Sequence, residues 1–369
     1  MRKPVRVLVV DDSALMRKLI PQMLQRDASI EVVGTAMDGL LGIKKIGELR
    51  PDVVTLDLEM PRMDGLEMLR QIVGRYHIPV IVVSSHNEVG AYSALKALAL
   101  GAFDFIAKPD ACQTGGIEHI ARELSVKIKV AAISGPPKLT YNIPPSTRHA
   151  AKSKQTDARP TLSVAIGVST GGPNALQYIF SQLPSDFPGC LLVVQHMPEG
   201  FTGMFARRLN DCSLINVVEA RSGELLARGR AFICPGNRHL KVRRVPHGDM
   251  LVLVDQPTVN GHRPSVDVLF HSVAKEFGSE SAAVLMTGMG EDGADGMRAV
   301  QAAGGVTIAQ SLDTCVVDSM PRAAIDAGSA GRIVPLDALP SVLQTLSSND
   351  RSRPRADAAD LETTRGARR

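Results

Sequence analysis

Short apolar runs, each followed by a segment of helical periodicity, constrain the fold of this chain more than any other feature. In the first third these runs are rich in valine and isoleucine and span residues 5–10, 31–36, 52–56, 79–83 and 103–107. Strands that alternate with helices are typical of a parallel β-sheet covered by helices on both faces. The sequence therefore predicts a doubly wound α/β domain over residues 1–124.

The first helical segment contains a proline. Ser13 is a suitable N-cap, and apolar residues recur after it at helical spacing. Pro21 lies inside this pattern, where a proline costs about 3 kcal/mol. We therefore expect a kink at Pro21, or a helix that starts later than the pattern suggests.

A change of composition divides the chain. Residues 125–160 contain several prolines and many basic residues, with Asp157 as the single acid, which predicts a stiff basic linker. Apolar runs resume at 162–168, 191–195, 215–219, 231–234, 251–254, 282–286 and 306–309. They predict a second doubly wound α/β domain over 161–349, with a hairpin in a mostly parallel sheet. The polar, arginine-rich residues 350–369 are expected to be disordered.

Composition narrows the range of partners and compartments. The net charge is +4, from 42 basic and 38 acidic residues, and no helix-turn-helix spacing or basic helix stands out. We therefore expect no nucleic-acid partner. No apolar run approaches the roughly 18 residues of a membrane helix, so we expect no membrane insertion. Five scattered cysteines without a Cys-x-x-Cys pair predict reduced thiols in a soluble cytoplasmic protein.

Polar side chains follow four strands of the first predicted sheet. Asp11 and Asp12 follow the first strand, Asp57 ends the third, Ser84 ends the fourth and Lys108 follows the fifth. The carboxyl ends of parallel strands meet at one edge, so these groups should share a crevice. Clustered carboxylates repel one another unless a cation neutralises them, and oxygen ligands suit Mg²⁺. We predict a Mg²⁺ site at Asp11, Asp12 and Asp57.

This pattern resembles the receiver domain of bacterial response regulators over residues 4–122. The shared motifs are Val-Val-Asp-Asp-Ser, Asp57, Met-Pro, Asp-Gly and Lys108-Pro. The resemblance implies a flavodoxin-like fold and phosphorylation of Asp57 by a histidine kinase. Ser84 would then hydrogen-bond a phosphoryl oxygen, and Lys108 would balance its charge. Phe105 holds the position of an aromatic residue that changes rotamer when receivers switch.

Two neighbouring strand ends of the second domain carry a serine and a histidine. Ser169 lies in GVSTGGP, which fits both a nucleophile elbow and an anion-binding loop. His196 directly follows the next apolar run and could act as its base. A base needs a carboxylate that fixes its tautomer, and Asp255, Asp292 and Asp313 are candidates at strand ends.

The segment TGMGEDGADG also matches the Gly-x-Gly-x-x-Gly loop that binds dinucleotides. Asp313 lies where a ribose-binding acid could follow. However, Glu291, Asp292 and Asp295 would repel a pyrophosphate, which favours a catalytic loop. Two alternatives to a hydrolase remain open, namely a receiver-controlled dinucleotide-binding protein and a DNA-binding response regulator.

Together these motifs resemble the protein-glutamate methylesterases of bacterial chemotaxis over nearly all of residues 1–349. The resemblance rests on the receiver motifs, GVSTGGP, VVQHMPEGFT, NGHRPSVDVLF and TGMGEDGADG. It implies an α/β serine hydrolase domain with Ser169 as nucleophile, His196 as base, Asp292 as acid and the Met289 N–H in the oxyanion hole. Arg263, in GHRPSVD, could line the site or pair with Asp267.

The same resemblance implies the reaction and its control. The substrates would be glutamate γ-methyl esters in the cytoplasmic helical region of chemoreceptors, and the products would include methanol. Since a carboxamide reacts through the same tetrahedral intermediate, glutamine deamidation, which some family members perform, is an expected second reaction. The hydrolysis would need no cofactor. A chemotaxis histidine kinase would supply the phosphoryl group, and the unphosphorylated receiver would cover the catalytic site.

Overall fold

A computed structural model describes residues 3–108, 116–137 and 158–348. The first domain alternates strands with helices and has a short π-helical extension, Ile72–Tyr76, after its third helix. Its elements are β1 (Val5–Val10), α1 (Ala14–Leu24), β2 (Ile30–Ala36), α2 (Gly39–Leu49), β3 (Val53–Asp57), α3 (Gly65–Gln71), β4 (Val80–Ser84), α4 (Glu88–Ala99), β5 (Asp104–Ala107) and α5 (Gly116–Ser134).

The five strands of this domain form one parallel sheet in the order β2-β1-β3-β4-β5. All five lie where the apolar runs predict them, and the order is that of a flavodoxin-like domain. β3 and β4 are buried along their whole length, as central parallel strands are. The predicted fold class is therefore confirmed for the first domain.

Helix α1 differs from the expectation in one respect. Ser13 is its N-cap and accepts a hydrogen bond from Met16 N, so the helix does not start late. It continues through Pro21 to Leu24. Ile20 and Leu24 flank the proline and are at most 2% exposed. Burying each such side chain contributes about 1.5–3 kcal/mol, which offsets the cost of the proline.

The expected start of the linker at residue 125 is wrong, because α5 extends to Ser134. Leu124, Ile128 and Ala131 form an apolar face that is at most 1% exposed, and this face holds the helix on the sheet. The helix ends just before Pro136, in agreement with the tendency of prolines to follow helix ends. Much of the linker and the tail after residue 349 lie outside the described residues.

The second domain has a larger sheet and a separate hairpin. Its elements are β6 (Ser163–Val168), α6 (Gly172–Gln182), β7 (Cys190–Gln195), α7 (Thr202–Cys212), β8 (Asn216–Glu219), β9 (Arg230–Ile233), β10 (His239–Val245), β11 (Gly248–Val254), α8 (Val266–Phe277), β12 (Ser281–Leu285), α9 (Ala294–Ala302), β13 (Val306–Gln310), α10 (Ser319–Asp326), β14 (Arg332–Val334) and α11 (Leu339–Ser347). Short 3₁₀ turns lie at Gly278–Glu280 and Leu312–Thr314.

Seven strands form a parallel sheet in the order β14-β13-β12-β6-β7-β9-β8. The hairpin β10–β11 forms its own antiparallel two-stranded sheet rather than joining the large one, which corrects the expectation. It lies on α8, where Ser272 Oγ accepts from Val242 N at 2.8 Å and donates to Val242 O at 3.1 Å. Among the helices in the described ranges, none has both the length and the apolar character to cross a membrane.

Candidate functional site

The crevice predicted at the edge of the first sheet is present. The carboxylates of Asp11, Asp12 and Asp57 place oxygen atoms within 4.8 Å of one another. Lys108 Nζ lies 2.7 Å from Asp57 Oδ2 and 3.5 Å from Asp11 Oδ2. The structure thus brings together four residues that the sequence places at three different strand ends.

Because Asp11 and Asp57 are buried, it is electrostatically unfavourable for the carboxylates of this crevice to be ionised together. Burial, together with the charge of the neighbouring Asp57, raises the pKa of Asp11 to about 6, although Lys108 opposes both. Burial also raises the pKa of Asp57, although the Lys108 ammonium counteracts this. Asp11 Oδ2 is buried and accepts no hydrogen bond from the described residues, although Lys108 Nζ lies 3.5 Å away. A buried carboxylate oxygen without a hydrogen-bond donor, beside oxygens of two other carboxylates, is the donor set that a hard divalent cation needs, so these residues fit Mg²⁺.

Two further receiver residues lie on neighbouring strands. Ser84 is buried at the end of β4, where its Oγ donates to Gly90 O at 2.8 Å. Phe105 lies in β5 with 4% exposure, and its ring stacks on Phe201 of the second domain with centroids 4.9 Å apart. Phe105 thus connects the receiver-like domain directly to the second domain.

In the second domain, Ser169 lies on a tight turn between β6 and α6. Gly171 has φ +81°, a left-handed conformation that favours glycine. A Cβ on Gly172 would lie 2.2 Å from Gln195 Oε1, so a larger residue would clash there. Helix α6 then begins at Gly172, with Pro173 in its first turn. These features hold Ser169 at the carboxyl edge of the sheet.

His196 follows β7, which is the neighbour of β6, and contacts Asp292. His196 Nε2 lies 2.8 Å from Asp292 Oδ2, and the two side chains are 8% and 1% exposed. Asp255 and Asp313, the other two candidate acids, lie elsewhere. Asp255 is 60% exposed and accepts a hydrogen bond from Arg263 at 2.8 Å, whereas Asp313 accepts one from Ser311. Arg263 therefore pairs with Asp255 and not with Asp267, which was one of the two alternatives that the sequence left open.

Asp292 is held by the amino end of α8. Its Oδ2 accepts from Val266 N at 2.7 Å, and its Oδ1 accepts from Ser265 Oγ at 2.8 Å and from Asp267 N at 3.2 Å. Burial alone would raise the pKa of Asp292, but the charge and hydrogen bond of His196, together with these donors, hold it well below its ordinary value. Asp292 is consequently an anion that faces the imidazole.

Hydrogen bonds connect the backbone segments that carry Ser169 and His196. His196 N donates to Val168 O at 3.1 Å, and Gln195 Nε2 donates to Ser169 O at 3.0 Å and to His196 O at 3.1 Å. The Nδ1 atom of His196 is buried and has no hydrogen-bond partner among the described residues. Ser169 Oγ is therefore not bonded to the imidazole in this conformation.

The loop that carries Met289 lies against the serine turn. Ser169 N donates to Thr287 O at 3.0 Å, and a Cβ on Gly288 would lie 2.8 Å from Ser169 Cβ. Thr287 Oγ1 donates to Thr170 O at 2.9 Å. Met289 is half-buried and packs against a hydrophobic cluster that contains Val317 and core residues of the first domain. Gly288, the residue before Met289, thus lies directly beside the candidate nucleophile.

Sequence reasoning missed several residues of this site, namely Gln195, Ser265, Asp267 and Thr287. Ser265 and Asp267 were readable as the N-cap and first turn of a helix, since Ser265 precedes the apolar run of α8. Gln195 is a polar residue, 2% exposed, at the end of an apolar strand. Their contacts to Asp292 and Ser169 span long separations in the chain, which local patterns do not encode.

Comparison with known proteins agrees with this architecture. Residues 164–343 match a family model described as CheB methylesterase, and residues 7–114 match one described as response regulator receiver domain. The chain is 57% identical over 356 residues to protein-glutamate methylesterase/protein-glutamine glutaminase 2 of Koribacter versatilis, covering 94% of this chain and 98% of the relative.

A second relative is the protein-glutamate methylesterase/protein-glutamine glutaminase of Symbiobacterium thermophilum. It is 46% identical over 354 residues, covering 92% of this chain and 96% of the relative. The crystal structure of the Thermotoga maritima CheB methylesterase catalytic domain is 39% identical, covers 50% of this chain and 98% of that one, and has a TM-score of 0.49.

Proposed function

We propose, from the premise that this chain belongs to the CheB methylesterase family, that it hydrolyses glutamate γ-methyl esters on chemoreceptors with Ser169, His196 and Asp292. The observation that carries the proposal is the buried His196–Asp292 pair, in which His196 follows β7 and Ser169 follows the neighbouring strand β6. A buried carboxylate that fixes an imidazole beside a serine is the arrangement that activates a hydroxyl nucleophile.

The two imidazole nitrogens have different roles in this mechanism. Asp292 holds Nε2, which leaves Nδ1 to receive the proton of Ser169 Oγ as that oxygen attacks the ester carbonyl. Collapse of the tetrahedral intermediate breaks the bond to the methoxy group, and His196 returns the proton so that methanol leaves. Water, activated by His196, then attacks the acyl-serine and releases the glutamate carboxylate. A glutamine side chain would follow the same steps and release ammonia.

The negative charge of the tetrahedral oxygen requires nearby donors. The Met289 N–H, on the loop that lies against Ser169, is the proposed donor, with an amide near Thr170 as a second one. One such donor contributes about 3–4 kcal/mol to the stabilisation of the transition state. No cofactor is needed for these steps.

We propose that the receiver controls access to this site. Thr170, the residue after Ser169, donates from Oγ1 to Asp104 Oδ2 in β5 at 2.6 Å. Asn174 Nδ2 donates to Leu98 O in α4 at 2.9 Å, and Phe105 stacks on Phe201. The receiver therefore packs beside the serine turn and covers this side of the site. In this conformation it would hinder a helical substrate.

Phosphorylation of Asp57 by a chemotaxis histidine kinase would weaken this packing. Asp57 is bonded to Lys108, which directly follows β5, the strand that carries Asp104 and Phe105. Asp11, Asp12 and Asp57 would hold Mg²⁺, which supplies positive charge during phosphoryl transfer. A phosphoryl group on Asp57 would compete for Lys108 and Ser84, and the change would shift the equilibrium between the closed and open arrangements of the two domains.

The test is incubation of the full chain with methylated receptor fragments, with and without Mg²⁺ and a small phosphodonor. We expect methanol release that increases when the phosphodonor is present, and ammonia release from fragments that carry glutamine at the same positions. Absence of methanol release under both conditions, with fragments that a related methylesterase demethylates, would contradict the proposed reaction.

A further inference from the structure

A four-residue turn, Val259–His262, lies over the His196–Asp292 pair. Val259 N donates to His262 O at 3.0 Å, and His262 N donates to Val259 O at 2.9 Å. The central residues Asn260 and Gly261 have φ +52° and +78°. Asparagine and glycine are the residues that tolerate this left-handed pair of conformations best. The geometry of the turn is therefore specified by its own sequence.

One side chain of the turn contacts the proposed base. The rings of His262 and His196 are stacked face to face, with centroids 3.9 Å apart and planes 5° from parallel. The hydrogen bond to Asp292 fixes Nε2 of His196 but leaves the ring able to tilt about that bond. The stack restrains the tilt, and it thereby determines where Nδ1 points.

The other side chain contacts the acid and its neighbour. Asn260 Nδ2 donates to Asp267 Oδ2 at 2.8 Å and reaches Asp292 Oδ1 at 3.5 Å. Asp267 Oδ1 in turn accepts from Gly293 N at 3.0 Å and from Gly296 N at 2.7 Å, at the start of α9. Asp292 therefore binds the amino end of α8, and Asp267 binds the amino end of α9. Asn260 bridges the two carboxylates.

The buried carboxylates of Asp267 and Asp292 repel each other. Burial and the charge of Asp292 raise the pKa of Asp267 to about 6. A donor that faces both carboxylates lowers the electrostatic cost of keeping them ionised. Without the Asn260 amide, the pair would relieve its repulsion by protonation or by rotation, and either change would alter the bond from Asp292 to His196.

We propose that the turn is a positioning element for the reaction, in which Asn260 holds the acid and His262 holds the plane of the base. This inference rests on the proposed function, because it assigns both residues to the orientation of His196 and Asp292. They act through these two side chains, and they are positioning residues rather than catalytic ones.

Three variants of the turn test the proposal in the full chain. Asn260→Gly keeps the left-handed backbone but removes the amide, and His262→Ala removes the stacked ring. His262→Phe keeps a flat ring without nitrogen atoms. The matched control is Gly261→Asn, since a Cβ there would meet nothing within 4 Å and asparagine accepts the positive φ.

We expect kcat for methanol release to fall about 10- to 100-fold in Asn260→Gly and His262→Ala, as for a misplaced catalytic group. KM should change less than about twofold, because substrate binding is not the affected step. His262→Phe should recover most of the loss, and Gly261→Asn should match the wild type. Equal kcat values in Asn260→Gly, His262→Ala and Gly261→Asn would overturn the proposal.

A spectroscopic measurement separates this inference from the proposed function. The proton between His196 Nε2 and Asp292 should give a downfield signal in the NMR spectrum of ¹⁵N-histidine-labelled protein, assigned by its loss in His196→Gln. We expect the signal to shift or broaden in Asn260→Gly and His262→Ala but to remain in Gly261→Asn. If wild type releases no methanol but the signal responds in this way, the proposed function fails and the positioning role stands. An unchanged signal in the two variants would overturn the positioning role.

Discussion

Thr170 and Asp104 join the two domains through a hydrogen bond of 2.6 Å between Thr170 Oγ1 and Asp104 Oδ2. Both residues are buried, with exposures of 3% and 7%. Asp104 also lies 3.2 Å from Lys127 Nζ of α5. Burial would lower the pKa of Lys127, but Asp104 and Glu123 raise it, so the ammonium stays charged. One carboxylate thus connects the serine turn to two elements of the receiver.

Asp104→Ala should raise the activity of the unphosphorylated enzyme. Loss of a buried hydrogen bond costs about 1–3 kcal/mol, and since 1.4 kcal/mol is a factor of ten in an equilibrium constant, we expect methanol release to increase about tenfold. Activity with the phosphodonor should stay close to that of wild type. The control is Glu123→Gln, which removes another partner of Lys127, at 2.9 Å, without contact to Thr170. Equal basal rates in wild type and Asp104→Ala would show that this bond does not hold the closed arrangement.

Asp292→Asn should abolish most of the turnover without unfolding the protein. An amide in this position favours the wrong imidazole tautomer and no longer stabilises the imidazolium, so we expect kcat to fall about 10⁴-fold. Asp255→Asn is the matched control, because Asp255 is 60% exposed and bonds Arg263 at the surface. Steady-state methanol release and circular dichroism of both variants give the comparison. Wild-type turnover in Asp292→Asn would show that Asp292 is not the acid of the reaction.

Asp57→Asn should respond to neither Mg²⁺ nor the phosphodonor. The amide cannot form the aspartyl phosphate, and Lys108 would lose the negative charge of its partner at 2.7 Å. Basal methanol release should therefore stay near the wild-type unphosphorylated rate, and the phosphodonor should cause no increase. Asp64→Asn is a useful control, since Asp64 is an exposed N-cap of α3 outside the acid cluster. If the phosphodonor activates Asp57→Asn as it does wild type, control does not pass through Asp57.

Asp11 should make the stability of the receiver depend on pH and on Mg²⁺. Its pKa rises from 3.8 to about 6 on folding. The folded state therefore binds more protons between these values, and stability falls as pH rises through this window. The total decrease in the free energy of unfolding is about 3 kcal/mol at neutral pH. In EDTA we expect Asp11→Asn to have a higher thermal midpoint than wild type at pH 7, and a smaller difference at pH 4.

Mg²⁺ should reverse this order, because a cation that binds only the folded carboxylates stabilises wild type by mass action. The thermal midpoint of wild type should therefore rise with added Mg²⁺ at pH 7, and that of Asp11→Asn should rise less. The same midpoint for both proteins at every Mg²⁺ concentration would contradict a metal site that includes Asp11.

The sequence predicted those parts of the site that lie at strand ends. Asp57 and Lys108 in one sheet, and His196 in the other, follow apolar strands, and parallel strands bring their carboxyl ends to one edge. The fold class followed from the same alternation. Strands β10 and β14 were missed, since β10 carries several charged residues and β14 has only three residues.

Contacts across long separations could not be predicted. The residues alone left three candidate acids, and the resemblance to the methylesterases favoured Asp292, but its bond to His196 and its contacts to α8 are visible only in the structure. The predicted start of the linker was wrong because α5 carries lysines next to a buried apolar face that includes Ile128. Lysine side chains can extend along such a face with their charged ends in water or in ion pairs, so composition alone did not show the helix.

Replacement of Ser169 tests the central claim most directly. Ser169→Ala removes the proposed nucleophile, and Ser181→Ala, on α6, is the matched control because Ser181 lies away from the acid–base pair and donates to Tyr178 O. Methanol release from methylated receptor fragments should be measured for both, with Mg²⁺ and the phosphodonor. We predict that Ser169→Ala is inactive although Asp57 is still phosphorylated, and that Ser181→Ala matches wild type. Unchanged methanol release in Ser169→Ala would contradict the account.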